Sequence, residues 1–252
     1  MTLKVTIWLI DMIKINMLSQ IYPFAKEMGQ RIIITPPPNP NFNGYDYVDL
    51  GLPSGTLWAT CNVGASKPTD YGQYFQWGDT SGYTADQVGT GEGQKKFESD
   101  WSDYKWYLSG SSDDVNSLKF TKYIAKSVPL ELEDDAAHVN MGGDWHMPTP
   151  TQINELLNTA YTTNEWTTQD GVNGRLFTST KDTSKSIFIP AAGNAQDGSL
   201  YNIGTQSNVW SSMTSGFSSR VYIAQRLWIF SLNARLIGAS RFFGSSVRGV
   251  IG

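Results

Sequence analysis

Few side chains in this sequence have a type and spacing that could do chemistry, and the clearest set is suited to binding. From position 226 the chain reads Arg226-Leu227-Trp228-Ile229-Phe230-Ser231. On a strand successive side chains alternate between faces, so Leu227 and Ile229 point one way and Arg226, Trp228 and Phe230 the other. The first face suits a core. The second carries a cation and two large aromatics, residue types that dominate binding hot spots. Either this strand is buried on both sides or that face is a binding surface. A second cluster is acidic, Glu131, Glu133, Asp134 and Asp135. It could hold a hard cation such as calcium. It also suits the first turn of a helix through Ala136, Ala137 and Val139, where the helix dipole favours negative charge, and this is the reading we prefer.

Reactive side chains are scarce. Cys61 is the single cysteine, which excludes an intramolecular disulfide and a cysteine-cluster metal site. Two histidines, His138 and His146, leave little for a metal centre or a triad, and structural roles are expected for both. Phosphate-loop, dinucleotide-binding, zinc-protease and nucleophile-elbow motifs are missing. Carboxylates are plentiful, but no pair is set off by context as a glycosidase acid and nucleophile. The sequence therefore implies no enzyme, no catalytic residue, no metal and no cofactor. A net charge of -4 argues against nucleic acid as a partner, because phosphate binding needs a basic face.

The elements that must position the 226–230 stretch follow from periodicity and turn chemistry. Residues 1–40 read as an apolar N-terminal segment with a proline-rich linker, and residues 41–252 as the globular domain. Met1 to Gln30 is strongly apolar, yet Asp11 and Lys14 interrupt it, so no membrane span is expected. No clear signal peptide is present. A helix here would serve oligomerisation or anchoring to a larger assembly through residues 1–35, would pack on the domain, or would be an upstream extension outside the natural domain. Arg31 to Thr35 reads as a strand, and Pro36-Pro37-Pro38-Asn39-Pro40 as a stiff spacer. Two strand-like stretches, Tyr47 to Leu50 and Thr56 to Thr60, flank the turn Leu52-Pro53-Ser54-Gly55. Thr80 to Ser112 is a long polar loop in which Trp101, Tyr104, Trp106 and Tyr107 are embedded, so it is functional or held by its own aromatics. Thr149-Pro150-Thr151-Gln152 is a helix start with a capping box and proline in the first turn. Ile153, Leu156, Leu157 and Ala160 follow at helical spacing, with Trp145 and Met147 expected under the helix start. Gly174 to Ser179 and Ser186 to Pro190 read as a strand pair. The fold class is α+β, mainly antiparallel strands with one or two helices and long irregular loops.

Several blocks then resemble one family. They are Tyr47 to Gly55 with Trp58 to Gly64, Tyr71 to Gly78, Gly143 to Thr149, Gly174 to Thr178, Ile187 to Gly193, Val209 to Ser212 and Gly244 to Arg248. Over about residues 44 to 250 the chain is similar to the Fibrobacter succinogenes major paralogous domain, common in Bacteroidetes and their phages. That domain resembles in turn the C-type lectin-like fold shared with formylglycine-generating enzymes. The group includes the variable proteins of diversity-generating retroelements, in which adenine-rich codons near the C-terminus are randomised. Their frame resembles Trp210-Ser211-Ser212, then alternating fixed and variable positions, then Arg241, Gly244, Ser246, Val247 and Arg248. The resemblance places the variable, ligand-binding positions at Tyr222, Ile223, Arg226, Trp228, Phe230, Asn233, Arg235, Ile237, Gly238, Ala239, Ser240, Phe242, Phe243 and Ser245. Trp228 departs from the pattern, because Trp cannot be reached from an adenine-mutated Asn codon. The calcium-lectin sugar signatures are missing, and Cys61 alone cannot supply the cysteine pair of the formylglycine-generating enzymes.

Three functions compete. The first is a ligand-display protein whose C-terminal surface is hypervariable, for receptor binding or adhesion on a phage tail or cell surface, with a protein or glycan receptor on a target cell as partner. Its affinity would come from an exposed set of Trp228, Phe230, Phe242, Phe243, Tyr222, Arg226 and Arg235. The second is an undiversified structural module of a virion or surface assembly, which predicts no exposed aromatic patch. The third is a hydrolase using acidic residues, which predicts a deep cleft with a strongly perturbed carboxylate.

Overall fold

The alternating stretches do form strands, and these pair mostly antiparallel. The computed structural model describes residues 2–6, 31–35, 39–215 and 222–252. Two units divide the chain, Met1–Pro40 and Asn41–Gly252. In the first, β1 (Thr2–Thr6) pairs in parallel with β2 (Arg31–Thr35), Thr2 opposite Arg31. The strand expected at Arg31 to Thr35 is therefore present. The helix considered for residues 1–30 is replaced by strand at its start, and 7–30 lie outside the described residues. No helix among the described residues is long and apolar enough to cross a membrane.

In the second unit, β3 (Asn41–Phe42), β4 (Tyr45–Asp49), β5 (Leu57–Asn62) and β16 (Arg248–Ile251) form one sheet, ordered β16-β5-β4-β3. The last strand of the chain thus pairs with an early one. Between β4 and β5, the amide of Gly55 donates to the carbonyl of Leu52 at 3.0 Å. Its φ of +75° is a left-handed value that glycine adopts without a side-chain clash. Two short strands, β6 (Tyr107–Ser109) and β7 (Lys119–Phe120), pair within the long loop region. A three-stranded sheet follows, built from β8 (Thr162–Gln169), β9 (Val172–Ser179) and β10 (Ser186–Pro190). The pairing of β9 with β10 is the one read from the sequence, whereas the polar β8 was missed. β11 (Asn194–Gln196) and β12 (Ser199–Tyr201) make a small hairpin. A final antiparallel sheet holds β13 (Gln206–Thr214), β14 (Ile223–Phe230) and β15 (Asn233–Ser240) in that order.

Two α-helices are present among the described residues. α1 (Ala136–Met141) is capped by Asp135, whose carboxylate accepts from the amides of Ala137 at 2.9 Å and His138 at 3.0 Å. The same carboxylate accepts from the amide of Met147 at 2.8 Å, tying the helix start to the next segment. α2 (Pro150–Leu157) begins with the expected capping box. The Thr149 amide donates to Gln152 Oε1 at 2.8 Å, and the Gln152 amide donates to Thr149 Oγ1 at 3.3 Å. Such a cap contributes about 1 kcal/mol.

α2 buries Ile153 and Leu156 in a cluster with Val209 of β13 and Leu227 and Ile229 of β14. A second cluster holds Trp77, Trp145, Met147, Trp210, Ala224, Ala239 and Val247. Trp145 and Met147 therefore pack beside α1 rather than beneath α2. The long loop is held by its own aromatics, as expected. Trp101 is buried and stands edge-on to Phe120 at 5.1 Å, and the same ring meets Phe242 at 5.1 Å and Tyr222 at 6.0 Å.

Candidate ligand-binding face

The β13–β14–β15 sheet holds ten of the fourteen binding positions named from the sequence. Its two long strands pair without a bulge, from Ile223 opposite Ser240 to Phe230 opposite Asn233. Residues directly opposite share a face. Leu227 and Ile229 therefore share a face with Leu236 and Ala234, and all four belong to the cluster around α2. Arg226, Trp228 and Phe230 share the other face with Ile237, Arg235 and Asn233. Gln206, Asn208 and Trp210 extend that second face across β13.

The second face changes character along its length. Near the hairpin turn, Trp228 and Phe230 are half-buried and stack at 4.5 Å with ring planes 33° apart. The indole Nε1 of Trp228 donates to Gln206 Oε1 at 3.0 Å, which fixes the ring. The guanidinium of Arg235 lies 4.7 Å from the Trp228 ring centre, a cation–π arrangement. Asn233 and Arg235 are exposed and Ile237 is half-buried. At the other end the face is core. Ala224 and Ala239 pack with Trp77 and Trp210. Tyr222 and Phe242 pack with Trp101, Tyr104, Leu118 and Phe120.

This divides the fourteen positions named from the sequence. Trp228, Phe230, Asn233, Arg235 and Ile237 come together on one accessible surface. Tyr222, Arg226, Ala239, Phe242 and Ser245 are buried, so the expectation of an exposed set is corrected for Tyr222, Arg226 and Phe242. For Tyr222 and Phe242 the physical reason is the long aromatic loop, which covers that end of the hairpin, whereas Arg226 is packed against Trp210, Phe243 and Ser245. Phe243 is half-buried beneath Arg226, its ring centre 5.2 Å from the guanidinium. Ile223, Gly238 and Ser240 lie on the opposite face by register. Two surface residues were missed. Leu232 is 88% exposed in the two-residue hairpin turn, and Gln206 lies on the neighbouring strand. A turn of two residues between alternating strands was the available signal for the first.

Arg226 is only 9% exposed and makes one hydrogen bond, from Nη1 to Ser245 Oγ at 3.3 Å. Its Nε is buried with no acceptor. Burial pushes its pKa down to about 10, so the side chain is still cationic at neutral pH. Two nearby arginines are also buried. Arg248 donates to Asn62 Oδ1 at 3.0 Å and to the carbonyls of Ala59 at 2.9 Å and Phe188 at 3.0 Å. Arg241 donates to the Tyr123 carbonyl at 2.6 Å and lies 4.9 Å from the Trp77 ring centre and 5.3 Å from that of Phe120.

The other chemical candidates are accounted for by internal contacts. Glu131, Glu133 and Asp134 bring carboxylate oxygens together, but Lys122 Nζ stands among them at 2.6 Å, 3.4 Å and 2.6 Å respectively. Lys105 and the Tyr123 hydroxyl also bond Asp134, at 2.9 Å and 2.7 Å. Burial pushes the Asp134 carboxyl up, but these donors outweigh it and hold the group below its ordinary 3.8. Asp135, the α1 cap, is pushed up by burial against its amide donors. A ring nitrogen of each histidine lies against a backbone carbonyl, His138 Nδ1 with Trp145 at 3.1 Å and His146 Nδ1 with Met147 at 2.9 Å. A shallow depression of about 300 Å³ beside Tyr45, Asp46, Thr60 and Cys61 offers one carboxylate and one thiol. What the β13–β15 face offers is an aromatic stack, aliphatic surface and guanidinium donors. Comparison of the chain with protein-family models, with curated proteins and with solved structures gives no match.

Proposed function

We propose that the protein is a ligand-display module of the C-type lectin-like type, whose binding surface is the open end of the β14–β15 hairpin. Trp228, Phe230, Asn233, Arg235 and Ile237 carry the contact, with Leu232 and Gln206 at its border. The observation that carries this reading is the Trp228–Phe230 stack, held by Gln206 and flanked by Arg235, on the accessible end of a sheet whose opposite face is core. Large aromatics already fixed in place lose little freedom on binding, which is why Trp and Arg anchor interfaces. In this reading the surface is diversified by a retroelement, the site of action is a phage tail or cell surface, and the receptor belongs to a target cell. No cofactor or catalytic step is involved.

The test has two arms. Trp228→Ala with Phe230→Ala should abolish receptor binding while leaving the melting temperature nearly unchanged. The adjacent DNA should hold a near-copy of the 3′ coding end that differs only at adenines, beside a reverse transcriptase gene. Its absence removes the retroelement part of the proposal. Burial of Tyr222 and Phe242 favours a second reading, an undiversified structural module. Under that reading the double variant leaves every interaction of the protein intact.

A further inference from the structure

Charge is distributed very unevenly along this chain. No Asp or Glu follows Asp197, whereas five arginines do, at 220, 226, 235, 241 and 248. The protein as a whole is acidic, with a net charge of -4. The sheet that carries the binding face has Arg226 and Arg235 as its charged residues, so it is cationic within an anionic molecule. Neither forms an ion pair with another described residue. The ion pairs among the described residues belong to Lys95, Lys96, Lys105 and Lys122. A buried charge is normally paired or fully hydrogen-bonded. Arg248 meets that condition with three acceptors, whereas Arg241, itself fully buried beneath the aromatic loop, leaves Nε and Nη1 without acceptors and lies between two rings. Nor does Arg226 meet it, which lies over the rings of Trp210 and Phe243 but on the face that continues to the exposed residues. It is nine-tenths buried, holds one 3.3 Å bond through Nη1, and leaves Nε without an acceptor. By register it is a diagonal neighbour of the exposed Arg235 on the same face.

We propose that the ligand of this face is an acidic segment of a protein, and that one of its carboxylates pairs with the guanidinium of Arg226. This rests on the display reading above and specifies its partner. A guanidinium presents its donors in a planar fork that matches a carboxylate, and a low-dielectric setting strengthens the pair. Arg235 at the rim steers the same negative charge inward. A protein fits better than an acidic glycan. The Trp228 indole that a sugar would stack on already meets Phe230 at 4.5 Å and Arg235 at 4.7 Å. Leu232, 88% exposed, and the half-buried Ile237 add aliphatic surface that suits protein side chains.

The experiment is selection of a displayed random peptide library on the full chain, followed by affinity measurement against Arg226→Met and Arg235→Gln. Selected peptides should be enriched in Asp and Glu. They should bind Arg226→Met at least about tenfold more weakly, and Arg235→Gln should slow association most at low salt. Replacing the peptide's carboxylate by its amide should reproduce the Arg226→Met loss. That arm and Arg235→Gln carry the test if Arg226→Met does not fold. Acidic peptides that bind both variants as tightly as the parent overturn the proposal. Neutral peptides that require Trp228 overturn it too, while leaving the display reading standing. Arg226-dependent binding to sialylated or sulfated glycans on an array, with no acidic peptide enriched, overturns the choice of a protein. Peptides that bind irrespective of Trp228 and Phe230 overturn the display reading itself.

Discussion

The two ends of the β14–β15 hairpin obey the same alternation and have opposite fates. At the end near Tyr222 the even-numbered face of β14 is core, because Ala224 and Ala239 lie under Trp77 and Trp210. The adjoining Tyr222 and Phe242 lie under Trp101 and Phe120. At the turn end the same face holds Trp228, Phe230 and Arg235 in contact with solvent. Nothing in the strand's own pattern marks the change. What differs is the cover, supplied by a loop more than 100 residues earlier in the chain. A strand's pattern decides which face a side chain takes, and the rest of the fold decides what that face meets.

The sharpest way to break this comparison is to make the same change at both ends. Phe242→Ala should cost about 3–5 kcal/mol, as for a buried aromatic, whereas Phe230→Ala should cost about 1 kcal/mol or less. Urea midpoints measure both. Equal losses would mean that the turn end is core as well.

Next in size is the contrast between two arginines. Arg248→Met leaves three acceptors without donors and should cost about 3 kcal/mol. Arg226→Met gives up one long bond and a buried charge, so its stability should be close to the parent's or above it. A large loss from Arg226→Met would assign that side chain to the core instead.

A smaller effect should come from Lys122→Met, which loosens the segment beneath Trp77 through Tyr123. Asp134 titrates below its ordinary 3.8 in the folded chain. Its stabilisation is therefore complete above that value and is lost as the pH falls beneath it. The gap between parent and variant should be present at pH 7 and should close as the pH drops below 3.8. A gap independent of pH would remove Asp134 from the account. The smallest change should be Leu232→Ser, within about 0.5 kcal/mol of the parent in stability, with weakened binding as its only clear signature.

Much of this architecture was legible in the residues. The facing of Leu227 and Ile229, the capped start of α2 and the β9–β10 pair each follow from local period and turn chemistry. β8 was not legible, because Thr162–Gln169 is polar throughout except for Trp166 and gives no alternation to read. The surface was legible only in part. Trp228 and Phe230 could be placed on a face, but the burial of Tyr222 and Phe242 depends on Trp101 and Phe120, a non-local contact. Arg226 could be assigned a face but not a depth, and its missing acceptor is visible only in three dimensions. The acidic cluster was read as the start of a helix through Ala136, Ala137 and Val139; Asp135 does cap that helix, and the other three carboxylates meet Lys122.

The unbroken pairing of β14 with β15 also limits how this hairpin can change. Deleting one residue from β14 would shift its partners by one and reverse its faces, turning Leu227 and Ile229 outward and Arg226 and Trp228 into the α2 cluster. Insertions meet the same penalty. Change in length is confined to the turn at Ser231 and Leu232, and along the strands the hairpin can be altered only by exchanging one side chain for another at constant number.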